Sequence, residues 1–182
     1  MELTKIGVHL EGISDILFNR FIDYSEHPVE QKLYLMEGNK LVLPAENIYA
    51  FLFGENPAGC AKRFEGKKGK EYLTVGQSHV FVDPGLIPFL DDKGKQILFE
   101  NFTNGRFWIF SSGGRVKKGN LSVKQQATPR PVMRLPWNLK FSISLLKNAT
   151  IDQVKLQNWF EACGVDVALG NYRSRFGRFV VK

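Results

Sequence analysis

The chain has 182 residues, carries 25 Lys+Arg against 18 Asp+Glu for a formal charge of +7, and is 43 % apolar and 24 % charged. Those proportions exclude a disordered or collagen-like chain, and two cysteines exclude a disulfide scaffold. The opening MELTKIGVHLEG lacks the apolar segment of a signal peptide. No apolar run approaches the roughly 18 residues of a membrane span, so the composition predicts one cytoplasmic domain covering 1–182.

Residues 3–10 place Ile6, Val8 and Leu10 at period two, which predicts a half-buried strand with His9 on its polar side. Residues 11–40 give no clear periodicity. A short strand at 41–43 leads to Pro44, a good first-turn residue, and 45–53 then reads as a helix that Gly54 ends. Residues 55–70, rich in Gly and Lys, predict a loop, with Lys62, Arg63, Lys67, Lys68 and Lys70 as a solvated face. Residues 72–82 predict a strand that Asp83-Pro84-Gly85 closes. Shorter strands follow at 96–99 and 106–110, with Asn104-Gly105 as a tight turn.

The run 111–137 is Gly- and Pro-rich, basic and free of acids, and predicts an exposed irregular excursion with room for a hairpin. Residues 139–145 alternate as a strand. Thr150 and Gln153 form a capping box for a helix whose apolar face is Leu156, Trp159, Phe160 and Cys163, with Gly164 as its stop. Residues 165–169 and 178–181 predict two short strands. The order of strong elements is β-α-β-β-α-β, which predicts an α+β, ferredoxin-like fold with the excursion between the second and third core strands.

Charge is divided unevenly along the chain. Residues 1–100 hold 11 basic and 15 acidic side chains, whereas 101–182 hold 14 and 3, with no acid between Glu100 and Asp152. A basic half without compensating acids sets up a positive field, for which a polyanion is the natural partner. Two stretches carry binding chemistry. In the first, Arg115, Lys117, Lys118, Lys124, Arg130 and Arg134 suit phosphates, and Trp137 either offers a ring for an unpaired base or anchors the excursion to the core. In the second, Gly170 and Gly177 bracket Tyr172, Arg173, Arg175 and Phe176. Glycine there permits close backbone approach to a phosphate, and arginine gives forked contacts to its oxygens.

Signatures of catalysis are sparse. His9, His27 and His79 lack metal-ligand spacing, and no phosphate-cradling G-x-x-x-x-G-K loop occurs. Cys163 lies on an apolar helix face and is expected in the core, and loop-borne Cys60 has no identifiable base. The residues predict no cofactor, no metal and no enzyme.

The segment LGNYRSRFGRFVV, 169–181, resembles the glycine-rich loop near the end of RAMP-superfamily proteins. These include the backbone subunits of CRISPR effector complexes, in which a G-x-R-x-x-G-F/Y-G-R-like run precedes a strand. The longer sequence RPVMRLPWNLKFSISL, then a helix, then GNYRSRFGRF is especially similar to uncharacterised phage and mobile-element proteins. The resemblance covers 130–181, and the chain is shorter than the CRISPR subunits. It implies a modified RRM core with a thumb-like insertion over 83–138. It also implies single-stranded RNA or DNA as partner, bound by copies assembled side by side or with related subunits in the cytoplasm. Two other expectations attach to the resemblance: an interaction module or inhibitor that mimics a CRISPR backbone subunit, and a RAMP-type endoribonuclease, for which His9 is the sole candidate near the N-terminus.

Overall fold

The computed structural model describes residues 3–20, 28–112, 115–118, 121–124 and 128–182, with the backbone alone at 112, 115–118 and 121–124. In chain order the elements are β1 (Leu3–Gly12), β2 (Ile16–Leu17), β3 (Leu35–Met36), β4 (Lys40–Pro44), α1 (Ala45–Phe53), α2 (Cys60–Glu65), α3 (Gly69–His79), β5 (Val80–Asp83), β6 (Leu86–Leu90), β7 (Phe107–Ser112), β8 (Arg115–Lys118), β9 (Leu121–Lys124), β10 (Thr128–Met133), β11 (Asn138–Leu146), α4 (Gln153–Asp166) and β12 (Phe179–Val181). The fold is α+β, and every pairing between these strands is antiparallel.

The main sheet has the order β12-β1-β11-β6-β4-β3, with β5 also paired to β11. Its centre is the β1–β11 ladder, which runs from Leu3↔Leu146 to Glu11↔Asn138. The alternation read in both strands sets the buried face: Leu10, Leu139, Phe141, Ile143 and Leu145 are buried, whereas Lys5 and Lys140 are exposed on the other face. Helices supply the second layer. Phe51 meets Phe160 and Phe179, and Phe53 and Tyr72 both meet Trp159, all at ring separations of 5.3–6.1 Å. Burial of this many aromatic and aliphatic side chains is the main source of stability in such a fold.

A second sheet, β2-β10-β7, is joined to the first through the ends of β1 and β11. Residues 83–90 belong to the main sheet, whereas β7 and β10 pair with each other over six residues, from Thr128↔Ser112 to Met133↔Phe107. Beyond that ladder β8 and β9 form a separate two-stranded ribbon, with Arg115 opposite Lys124 and Lys117 opposite Ser122. The 111–137 excursion thus contains the hairpin-like ribbon that its sequence left room for. Positions 113–114, 119–120 and 125–127 of the excursion lie outside the described residues.

Several sequence expectations are corrected. Residues 72–82 read as a strand, yet Gly69–His79 is helical and only Val80–Asp83 is extended. Packing overrides local preference here: Gly76 lies against Phe53, where a Cβ would come within 2.5 Å of the ring, and Tyr72 stacks edge-on with Trp159. The loop expected at 55–70 contains α2, held because Cys60 and Ala61 are fully buried. The last long helix starts two residues later than its capping box indicates. Asp152 Oδ1, not Thr150, accepts the capping bond from Lys155 N at 2.7 Å, while Asn148 Oδ1 accepts from Thr150 N and Ile151 N in the preceding turn. That helix continues to Asp166, so the strand expected at 165–169 is absent.

Among the described residues no helix is long and apolar enough to cross a membrane.

Candidate nucleic-acid interface

The segment between α4 and β12 has an unusual backbone. Ala168, Gly170, Tyr172, Ser174 and Gly177 all have positive φ, at 59°, 75°, 49°, 64° and 73°. Side-chain-bearing residues pay about 1–2 kcal/mol for that conformation, so surrounding contacts must hold it. They do so through the β1–β2 connection. Asn171 N donates to Leu17 O at 2.9 Å, Gly177 N to Asp15 O at 2.7 Å and Arg178 N to Ser14 Oγ at 2.9 Å. Gly170 is required because a Cβ there would lie 2.6 Å from Leu17 O. The close approach that glycine permits is thus to the protein's own carbonyl.

Sewn down in this way, the loop lays its aromatic side on the second sheet. Phe176, Leu17 and Val132 form a small buried cluster, with Trp108 and Phe110 packed against it. Phe110 lies 5.3 Å from Phe176 and 5.7 Å from Tyr172, both edge to face. Two arginines complete the arrangement. The Arg130 guanidinium stands 5.1 Å from the centre of the Tyr172 ring, and that of Arg175 stands 5.2 Å from Phe110 and 5.7 Å from Phe176. Cation–π contact sets each guanidinium over a ring. Arg175 and Tyr172 are exposed and Arg130 is partly so.

Asp15 lies against this surface, and it is engaged. Asp15 accepts from Trp108 Nε1 at 3.1 Å and from Leu135 N at 3.3 Å. It fixes the indole and the turn after β10.

The structure separates the residues expected to bind. Arg130, Tyr172, Arg175 and Phe176 come together as described. Arg134 is exposed at the end of β10, beside the same turn. Arg115, Lys117, Lys118 and Lys124 lie in the β8–β9 ribbon, and their side chains fall outside those described. Trp137 is a correction. It is fully buried, donates from Nε1 to Ser14 O at 2.8 Å and meets Phe89 edge-on at 5.9 Å, so no ring face remains for a base. Gly177 serves loop docking, as Gly170 does.

Arg173 also turns inward, and its Nη1 donates to Ala50 O at 3.2 Å, in the last turn of α1. Burial lowers its pKa from the ordinary arginine value, opposed by the nearby Cys60. It anchors the loop to the helical layer and is less exposed than Arg175. Replacement Arg173→Met is expected to cost about 1–2 kcal/mol of stability, read from the urea midpoint. It should leave the salt dependence of any ligand binding unchanged.

Cys60 and Cys163 are both buried. Burial, followed by the hydrogen bond with Cys163, pushes the Cys60 thiol far above the ordinary range. That is the opposite of what a thiolate nucleophile needs. His9 lies on the uncovered sheet face with Nε2 hydrogen-bonded to Asn138 Oδ1 at 3.0 Å and Lys140 as its register partner. Among the described residues no group of three or more His, Cys, Asp or Glu side chains could hold a metal ion.

Sequence reasoning missed Trp108, Phe110, Asp15 and Lys32. Trp108 and Phe110 alternate on one face of β7, and that spacing was a usable signal. Nothing local pointed to Lys32, whose Nζ donates to Pro129 O at 2.7 Å across 97 positions.

Comparison with models of known protein families finds no match, and comparison with curated proteins finds none that is significant.

Proposed function

We propose that this protein binds single-stranded nucleic acid, without catalysis, on the surface formed by the 170–178 loop and the β7–β10 sheet. The observation that carries the reading is the convergence of Arg130 with Tyr172, Phe110 and Arg175. Two basic stretches some forty residues apart in sequence build one surface in which cations and rings alternate. Unpaired bases expose flat faces that stack on rings and guanidinium planes, while the charges neutralise the backbone. A duplex hides those faces.

The topology supports a ferredoxin-like core. In the order β12-β1-β11-β6 the neighbours are antiparallel, three helices separate β1 from β5, and α4 separates β11 from β12. In this reading β5 and β6 share the place of the second core strand. The β7–β10 region then stands between the second and third strands, where a thumb-like insertion of the RAMP type would lie. Copies arranged side by side along one strand are part of the proposal.

Fluorescence anisotropy with oligothymidylate and oligouridylate of about 20 nucleotides, and with a duplex of the same length, tests it. Single strands are expected to bind more tightly than duplex, with affinity falling steeply between about 50 and 200 mM salt. Equal affinity for duplex, or no binding at the lower salt, ends the reading. Stoichiometry that rises with oligonucleotide length is the expected sign of several copies on one strand.

A further inference from the structure

The edge of β10 holds a pair of cations that folding should avoid. Pro131 O accepts a ladder bond from Phe18 N at 3.0 Å. Two residues back, where β2 has ended, Pro129 O accepts instead from Lys32 Nζ at 2.7 Å. Lys32 is delivered by the turn Val29–Lys32, itself tied down by the bond from Arg20 N to Lys32 O at 3.0 Å. Beside it, Arg130 donates from Nη1 to Thr128 O at 3.2 Å. Its Nε is enclosed and makes no hydrogen bond.

Among the described residues this pair has no acidic partner. The Lys32 ammonium is pushed below its ordinary pKa, first by burial and then by the Arg130 charge. Glu30, in the same turn, points to solvent. Both cations are only partly buried, and Arg130 is pinned on its far side by the Tyr172 ring. Like charges held together at one strand edge, both partly exposed, favour an oxyanion between them.

We infer that Lys32 and Arg130 together seat one phosphate of a single-stranded nucleic acid, with Lys32 a binding residue for that backbone. The inference rests on the proposed nucleic-acid reading and adds to it a location. The phosphodiester lies at the β10 edge, next to the Tyr172–Arg175 surface on which bases stack. A phosphate there accepts from Lys32 Nζ and from the guanidinium N–H groups that fold-internal carbonyls leave unused, which relieves the repulsion between the cations.

The experiment compares wild type, Lys32→Gln and Lys32→Arg. In low-salt buffer free of phosphate, Lys32→Gln is expected to melt at or above the wild-type temperature, because it removes a repulsive charge. A strut whose only task was the Pro129 bond would melt lower, and that result overturns the inference. Inorganic phosphate should raise the wild-type melting temperature by more than sodium chloride of equal ionic strength, and should lose that excess effect in Lys32→Gln. With oligothymidylate, Lys32→Gln should flatten the plot of log affinity against log salt by about 0.7, the share of one phosphate on a single strand. Lys32→Arg should restore the slope.

If oligonucleotides bind but neither slope nor phosphate effect responds to Lys32, the seat is wrong while the nucleic-acid reading stands. If phosphate protects wild type and not Lys32→Gln but no oligonucleotide binds, the assigned ligand is wrong, and with it the inference.

Discussion

Alanine at position 177 is expected to lower the unfolding free energy by roughly 3 kcal/mol, the sum of a left-handed backbone penalty and an overpacked contact. Gly177 has φ +73°, and a Cβ placed on it would fall 2.0 Å from Leu169 O and 2.8 Å from Leu169 C. Both atoms are backbone, so no side chain can swing aside to make room. The position is also bonded from two directions. Its N–H donates to Asp15 O at 2.7 Å and its carbonyl accepts from Leu169 N at 3.0 Å. These bonds close the loop on itself and fasten it to the β1–β2 connection.

Urea denaturation of Gly177→Ala should therefore show a lowered midpoint. Oligonucleotide binding should fall as well, because Tyr172, Arg175 and Phe176 lose their seat on β7 and β10. Gly7→Ala is the control, since no atom lies within 4 Å of where its methyl group would stand and its φ is ordinary. It should be neutral or mildly stabilising, as alanine reduces the freedom of the unfolded chain. If Gly177→Ala is as stable as Gly7→Ala, the loop is not docked as described.

The elements that could be read in advance were those whose pattern is set by one-sided burial or by local backbone signals. In β1 and β11 alternation was unambiguous because one face is covered by helices and the other is not. The α1 boundaries followed from Pro44 and Gly54, which act locally on the backbone. The strand expected at 72–82 failed because its fate was decided elsewhere, by Phe53 and Trp159, which tertiary contact alone brings to Tyr72 and Gly76.

The site shows the same division. The glycine–arginine loop was visible as a cluster of special residue types. The direction of each arginine was not, because Arg173 and Arg175 differ by two positions in a loop of alternating backbone sign. One turns to Ala50 O and the other onto Phe110. Trp137 misled for a related reason. It stands among cations in the sequence, yet Gly12 leaves a space that the indole fills, with a Cβ at Gly12 falling 2.2 Å from Trp137 Cε2. Lys32 was hidden because its significance comes from Arg130, a residue 98 positions away in numbering.

Reversing charge at Arg130 and Arg175 together is expected to weaken single-strand binding by about 100-fold or more at low salt, since each change removes a cation from the proposed interface and adds a repulsive carboxylate. Lys93→Glu with Lys95→Glu alters net charge equally, at a turn organised by Asp91, whose Oδ1 accepts from both backbone N–H groups. That pair should cost far less. Comparable losses would mean that only overall charge matters and that no surface has been located. The two arginines should also be coupled in a double-mutant cycle, because Tyr172 and Phe110 connect them: Arg130 holds one ring, Arg175 the other, and the rings meet at 5.7 Å. Arg175→Lys separates the two tasks assigned to that side chain. Lysine keeps the charge but lacks the planar fork, so the salt slope should persist while affinity for stacked bases falls. Full affinity in Arg175→Lys would leave Arg175 as a point charge and remove base stacking from its role.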